Sequence, residues 1–126
     1  MRRERFLKLV AEALDDLPEE FRRRMENVAV LVEDVPRAQR ERRRRKLPPP
    51  RASAPRTLVL GHYIGTPRTE RSVFALPAGP DRIVLYQKNI EAVCRDEREI
   101  REEVRLTILH EVGHYFGMSE EQLRDV

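Results

Sequence analysis

Three residues near the end of this chain have the types and the spacing for metal chemistry. They lie in the stretch T-I-L-H-E-V-G-H-Y-F-G-M-S-E, Thr107 to Glu120, which contains H-E-x-x-H as His110, Glu111 and His114. If the stretch is helical, residues three or four apart share a face, with Cβ atoms about 5–6 Å apart. Two imidazoles at that separation converge on one Zn²⁺, with Zn–N near roughly 2.0–2.1 Å. Glu111 adjoins the first histidine but is rotated around the axis, towards the metal's open side. There its carboxylate takes a proton from a water whose acidity the metal has raised. This is the apparatus of a zinc hydrolase. The alternative is a histidine pair on a solvated helix face. Against it, two of the three histidines of the chain fall in the motif.

The chemistry requires a helix that starts and stops in the right places. Asp96 followed by Glu99 reads as a capping box, and no glycine or proline intervenes until Gly113. The first half of the predicted helix is charged, whereas Leu106, Ile108, Leu109, Val112, Tyr115 and Phe116 surround its second half. An apolar girdle predicts burial, with the histidines looking out through one gap. Gly113 leaves a bare patch that a strand can approach, and Gly117 ends the helix in a left-handed conformation.

Catalytic zinc usually keeps three protein ligands and a water. With Val126 as the last residue, the third ligand is expected just beyond the helix. In the extended pattern H-E-x-x-H-x-x-G-x-x-H, the last ligand stands six residues after the second histidine. Here that residue is Glu120, with Glu121 and Asp125 as alternatives. Ser119 and Gln122 also suggest a capping box, which would give Glu120 a competing role beside a helix N-terminus. His62, a lone histidine beside glycine, reads as a loop residue and not as a ligand.

The remaining chain must supply a scaffold. A length of 126 residues fits a single domain, 1–126, large enough to bury a core, even though charged residues reach 37%. The single Cys94 excludes an internal disulfide and reads as a small, half-buried residue. No leader-like apolar run follows Met1, and no stretch suits a membrane span, so a cytoplasmic location without membrane insertion is expected. Oligomeric state is not encoded in any feature of the sequence.

Phe6, Leu9, Val10, Ala13, Leu14 and Leu17 recur at helical intervals, and Pro18 opens a short second helical turn. Val28 to Val35 is expected to be an interior strand, closed by Pro36. Residues 37–56 are read as a flexible or extended, basic and proline-rich loop or insertion. Its Arg37–Lys46 block carries seven positive charges against one negative. A solvated insertion is the simplest reading, and contact with nucleic acid, an anionic membrane surface or an acidic partner is the functional one. No aromatic residue interleaves with the arginines, which counts against stacking on single strands. Thr57–Leu60 is expected to be a second strand, followed by a turn-rich loop. Val73–Leu76 and Arg82–Lys88 flank a Gly/Pro connection that reads as a hairpin. Asn89 is expected to cap a short helical segment through Cys94. The order helix, strand, strand, hairpin, helix defines an α+β domain, with a small mixed or antiparallel sheet packed on the metal-binding helix. The 82–88 strand is the expected sheet edge for an added peptide strand.

Taken together, these blocks resemble the minimal zincin-like metallopeptidases, small bacterial proteins regarded as zinc proteases. The resemblance runs from about Leu58 to Leu123. It is carried by Gly61-x-Tyr63-x-Gly65-x-Pro67-x-Thr69-Glu70-Arg71, by Pro80-Asp81-Arg82-Ile83-x-Leu85-Tyr86, and by His110-Glu111-x-x-His114-x-x-Gly117. It implies a zincin-like fold, zinc on His110 and His114, and Glu111 as catalytic base. The family commonly has Asp where this chain has Glu120, so the ligand here is one methylene longer. Thr69, Glu70 and Arg71 match a family block; cleft lining and an internal loop clamp are both open to them.

The expected function is therefore zinc-dependent hydrolysis of a peptide or protein substrate. Its rival is a non-catalytic metal-binding module that recruits nucleic acid or an acidic partner through Arg37–Lys46. Glu111 separates the two, because a structural zinc site has no use for it.

Overall fold

The computed structural model describes residues 1–48, 58–65 and 81–117. Two helices open the chain, α1 (Arg3–Asp15) and α2 (Glu19–Arg24), with Pro18 at the N-cap of the second. Strand β1 (Val28–Glu33) and helix α3 (Arg37–Arg44) follow. After them come β2 (Gly61–Ile64), β3 (Asp81–Tyr86), α4 (Gln87–Val93) and α5 (Glu97–Tyr115). The result is an α+β domain in which helices cover one face of a mixed sheet.

The strand order is β1-β3-β2. β1 runs parallel to β3, with Val30 opposite Ile83 and Val32 opposite Leu85. β2 runs antiparallel to β3, with Gly61 opposite Leu85 and Tyr63 opposite Ile83. Side chains alternate across a pleated sheet. This register therefore puts Val28, Val30, Val32, Tyr63, Ile83 and Leu85 on one face, where Tyr63, Ile83 and Leu85 belong to the buried core and the three half-buried valines pack against it. Phe6, Leu9, Val10 and Ala13 of α1 meet them together with Ile100, Val104, Ile108 and Val112 of α5. Arg5 reaches Glu97 at 2.8 Å through its Nε, and Arg101 reaches Glu12 at 2.9 Å, so two exposed ion pairs flank the α1–α5 contact. At such exposure they contribute little beside the apolar burial.

Several expectations change here. The interior strand is β3, because it has a partner on both sides, while β1 lies at an edge of the described sheet. For the same reason the 82–88 segment is not an open edge; Gln87 and Lys88 already belong to α4. The second strand begins at Gly61, later than expected. Leu58–Leu60 precede it in irregular conformation, with the Leu60 carbonyl accepting from Tyr86 N–H at 3.0 Å. Residues 37–44, read as loop, form α3. Arginine is a good helix former, Pro36 stands at the N-cap, and Glu41 pairs with Arg44 and Arg45. Asn89 is no cap: it is buried inside α4, and its amide donates to the Val59 carbonyl at 2.9 Å. The expected 73–76 hairpin strand and the Thr69-Glu70-Arg71 block lie outside the described residues.

Candidate metal centre

The long helix begins as its sequence implies. Asp96 is the N-cap, its Oδ1 accepting from the Glu99 N–H at 2.8 Å. Glu99 reaches back one residue further than a standard capping box, to the Arg95 N–H at 2.9 Å. At the other end Gly117 takes φ 76° and donates its N–H to the His114 carbonyl at 3.0 Å. The positive φ is the left-handed stop that glycine accepts without strain.

Between these ends, α5 lies along β2. Thr107 packs at Gly61: a Cβ there would stand 2.6 Å from the Thr107 methyl. Tyr115 packs at Gly65, where an added Cβ would run into its ring, and it stacks on Tyr63 at 4.1 Å between centroids. Eight residues of helix advance about 12 Å, and four residues of strand advance about 13 Å. Helix and strand therefore run in the same direction and keep step from Thr107 to Tyr115. Gly61 in the strand and Gly65 just after it make this close approach, and Gly113 of the helix is buried.

This docking orients the motif. Glu111 is one turn after Thr107 and one turn before Tyr115, so it lies on the helix side turned towards β2. It is half-buried. His110, also half-buried, and His114, exposed, occupy adjacent turns with ring centroids 6.0 Å apart. The Nδ1 of His110 lies 3.0 Å from the Leu106 carbonyl. A carbonyl only accepts, so Nδ1 carries the proton, and the neutral ring has its lone pair on Nε2. That is the tautomer in which a backbone carbonyl holds a metal-binding histidine. Two imidazoles on one tetrahedral zinc have ring centres about 5 Å apart. The observed separation exceeds that by about an ångström, within reach of small side-chain rotations. The residues present therefore fit zinc: two imidazoles and a neighbouring carboxylate on one helix. Among the described residues no third His, Cys, Asp or Glu completes a metal-binding group. Glu120, Glu121 and Asp125 lie outside them.

Further residues, not singled out from the sequence, build the walls. Tyr63 donates its hydroxyl to the buried Asp81 carboxylate at 3.0 Å, which anchors the ring under Tyr115, next to His114. Arg24 of α2 lies 5.0 Å from the Phe116 ring centre, a cation–π contact that holds the helix end from the other side. Tyr115 and Phe116 remain 41% exposed, so the apolar girdle is less buried than its composition suggests. Tyr86, at the end of β3, is buried, and burial pushes its phenol up. Glu33 and Glu111 add to that rise while Arg40 opposes it. The sequence signal for Tyr63 and Asp81 was their place in the two blocks that carry the resemblance. His62, read from the sequence as a loop residue, stands in β2, exposed on the sheet face opposite Tyr63. Cys94 is half-buried; desolvation and then Glu103, Glu99 and Asp96 push its thiol up to about 11, so it is no nucleophile near neutrality.

The family profile for zincin-like metallopeptidases matches residues 25–126. The chain belongs to the zincin-like metallopeptidase family. This member's match includes β1, α3 and the whole of the sheet and α5, and leaves out α1 and α2. Among solved structures it is similar to a conserved hypothetical protein from Thermo thermophilus. The two share 23% identity over 91% of this chain and 94% of the other, with a TM-score of 0.54. At that identity the likeness establishes the fold alone. No curated protein matches the chain. No described helix of this zincin-like chain is long and apolar enough to cross a membrane.

Proposed function

We propose that this chain is a zinc-dependent peptidase in which His110, His114 and Glu120 hold the metal and Glu111 is the general base. The observation that carries the reading is the docking of α5 on β2. It turns Glu111 towards the strand while His110, tied by Nδ1 to the Leu106 carbonyl, and His114 share the adjacent face. A bound Zn²⁺ supplies Lewis acidity, polarising a carbonyl and acidifying water. Glu111 takes the proton from the attacking water and later returns it to the leaving amine nitrogen. The outer side of β2 pairs with no described strand, so an extended peptide can add to it next to Glu111. That edge replaces the 82–88 strand as the substrate's sheet partner. Glu120 follows Gly117, whose left-handed conformation ends α5, by three residues, the spacing of the third ligand in the extended motif.

Zinc titration with parallel turnover of a peptide library tests the assignment. Glu111→Gln should retain zinc and fold but lose hydrolysis, by about a hundredfold or more. His110→Ala, His114→Ala and Glu120→Ala should each weaken zinc by at least about tenfold, the scale of losing a metal contact, and Glu121→Ala should not. Wild-type turnover in Glu111→Gln would remove it as the base. Unchanged affinity in Glu120→Ala with weakening in Glu121→Ala would move the third ligand by one residue.

A further inference from the structure

Helix α3 is hard to explain as a solvated insertion. Seven of the ten residues Arg37–Lys46 are basic, and all seven are exposed. Glu41 is the one carboxylate among these ten residues, and it is shared by Arg44 at 3.1 Å and Arg45 at 3.8 Å. Arg37, Arg40, Arg42, Arg43 and Lys46 have no carboxylate partner among the described residues. Like charges crowded on two turns oppose helix formation, and α3 buries no residue in return.

The helix is nevertheless pinned in one place, and that place connects to the strand on which α5 docks. Gln39 and Asn89 exchange amide hydrogen bonds at 3.2 and 2.9 Å. Asn89 also holds the Val59 carbonyl, two residues before Gly61. Gly61 in turn lies against Thr107, one turn before Glu111. A short hydrogen-bonded path thus leads from the basic helix to the strand on which a substrate would lie. The Tyr86 hydroxyl, which feels both Arg40 and Glu111, marks the same neighbourhood.

We propose that α3 is a docking surface for acidic polypeptide segments, and that it directs such substrates to the site on α5. The substrate part of this rests on the peptidase reading above. An extended chain on β2 leaves the site at its Gly61 end, where α3 is anchored. Its Asp and Glu side chains there meet guanidinium forks that match carboxylates bidentately. A nucleic acid fits less well. Arg37–Lys46 offers no aromatic side chain for base stacking, and a helix about 12 Å long spans few phosphates.

The test uses Glu111→Gln protein, so that binding is read without turnover, and fluorescence anisotropy of three labelled probes. These are a peptide with an Asp/Glu tract, the same peptide with a Ser/Gln tract, and a single-stranded oligonucleotide of equal charge. The acidic peptide should bind at least about tenfold more tightly than the neutral one at low salt, as complementary charge across an exposed surface allows. The advantage should shrink as added salt shortens the Debye length to a few ångströms. Arg37→Gln, Arg40→Gln and Arg43→Gln combined should abolish it, with circular dichroism reporting that the fold is kept. Equal binding of the two peptides, an advantage indifferent to salt, or one that survives the triple substitution would overturn the proposal. Tighter binding of the oligonucleotide than of the acidic peptide would overturn it in favour of a nucleic-acid surface. The salt series needs no substitution in α3, so the proposal stays refutable even if the triple variant unfolds. Wild-type turnover of both peptides separates the two readings. Acidic binding without cleavage of either peptide would uphold the docking surface and refute the peptidase, whereas cleavage without charge preference would do the reverse.

Discussion

Replacing Gly61 by alanine probes the contact that sets the whole site. The added Cβ would stand 2.6 Å from Thr107 Cγ2, 3.2 Å from the Val84 carbonyl oxygen and 3.5 Å from Leu85 Cδ2. Carbon atoms in good contact are about 3.5–4.0 Å apart, so α5 must lift or the Thr107 side chain must turn. Overpacking of this kind costs about 1–3 kcal/mol. Gly61 is not in a left-handed conformation, so alanine recovers about 0.4–1 kcal/mol by restricting the unfolded chain. The expected net loss is about 0–2.6 kcal/mol, about 1.3 kcal/mol at the midpoints of the two ranges. Thr107→Ser removes the opposing methyl and by itself loses about 0.8 kcal/mol of burial. In the double variant the 2.6 Å contact disappears and only the tight approach to the Val84 oxygen remains. It should therefore be more stable than the sum of the single changes predicts, by about 1 kcal/mol or more. Urea unfolding of the four proteins measures this, provided that m is unchanged. Zinc affinity should follow stability, falling in Gly61→Ala and recovering in the double variant, since Thr107 is one turn from the histidines. Additivity within about 0.5 kcal/mol, or a Gly61→Ala protein more stable than the parent, would refute the close-packing argument.

Two further outcomes follow from the same geometry. Tyr63→Phe keeps the ring under Tyr115 but removes a hydrogen bond to the buried Asp81 carboxylate. It should cost about 1–3 kcal/mol, a melting-temperature drop of about 4–12 °C for a domain of this size, and an unchanged melting curve would contradict it. With its thiol pushed up to about 11, Cys94 is protonated at neutral pH and becomes a thiolate only as pH rises towards that value. Its alkylation by iodoacetamide should be slow near neutrality and accelerate steadily through alkaline pH while the fold persists; full reactivity at neutral pH would show that the site is not desolvated.

What the sequence by itself determined is what local geometry controls. The i, i+4 spacing of His110 and His114 fixes their face on any helix. Asp96 starts that helix and Gly117 stops it, each through hydrogen bonds to residues three or four positions away. The α1 stripe from Phe6 to Ala13 was legible for the same reason. Sheet order was not. Nothing local in Val28–Glu33 or Asp81–Tyr86 says that they pair in parallel, because that pairing depends on which apolar faces can be buried together once the chain has closed. Arg37–Lys46 has the charge pattern of a solvated loop, yet eight of its residues form a helix held by Asn89, fifty positions away. Gly61 and Gly65 read locally as turn residues. The tertiary structure makes them the flat surface on which α5 rests, because only a segment without side chains at those two points lets Thr107 and Tyr115 come so close.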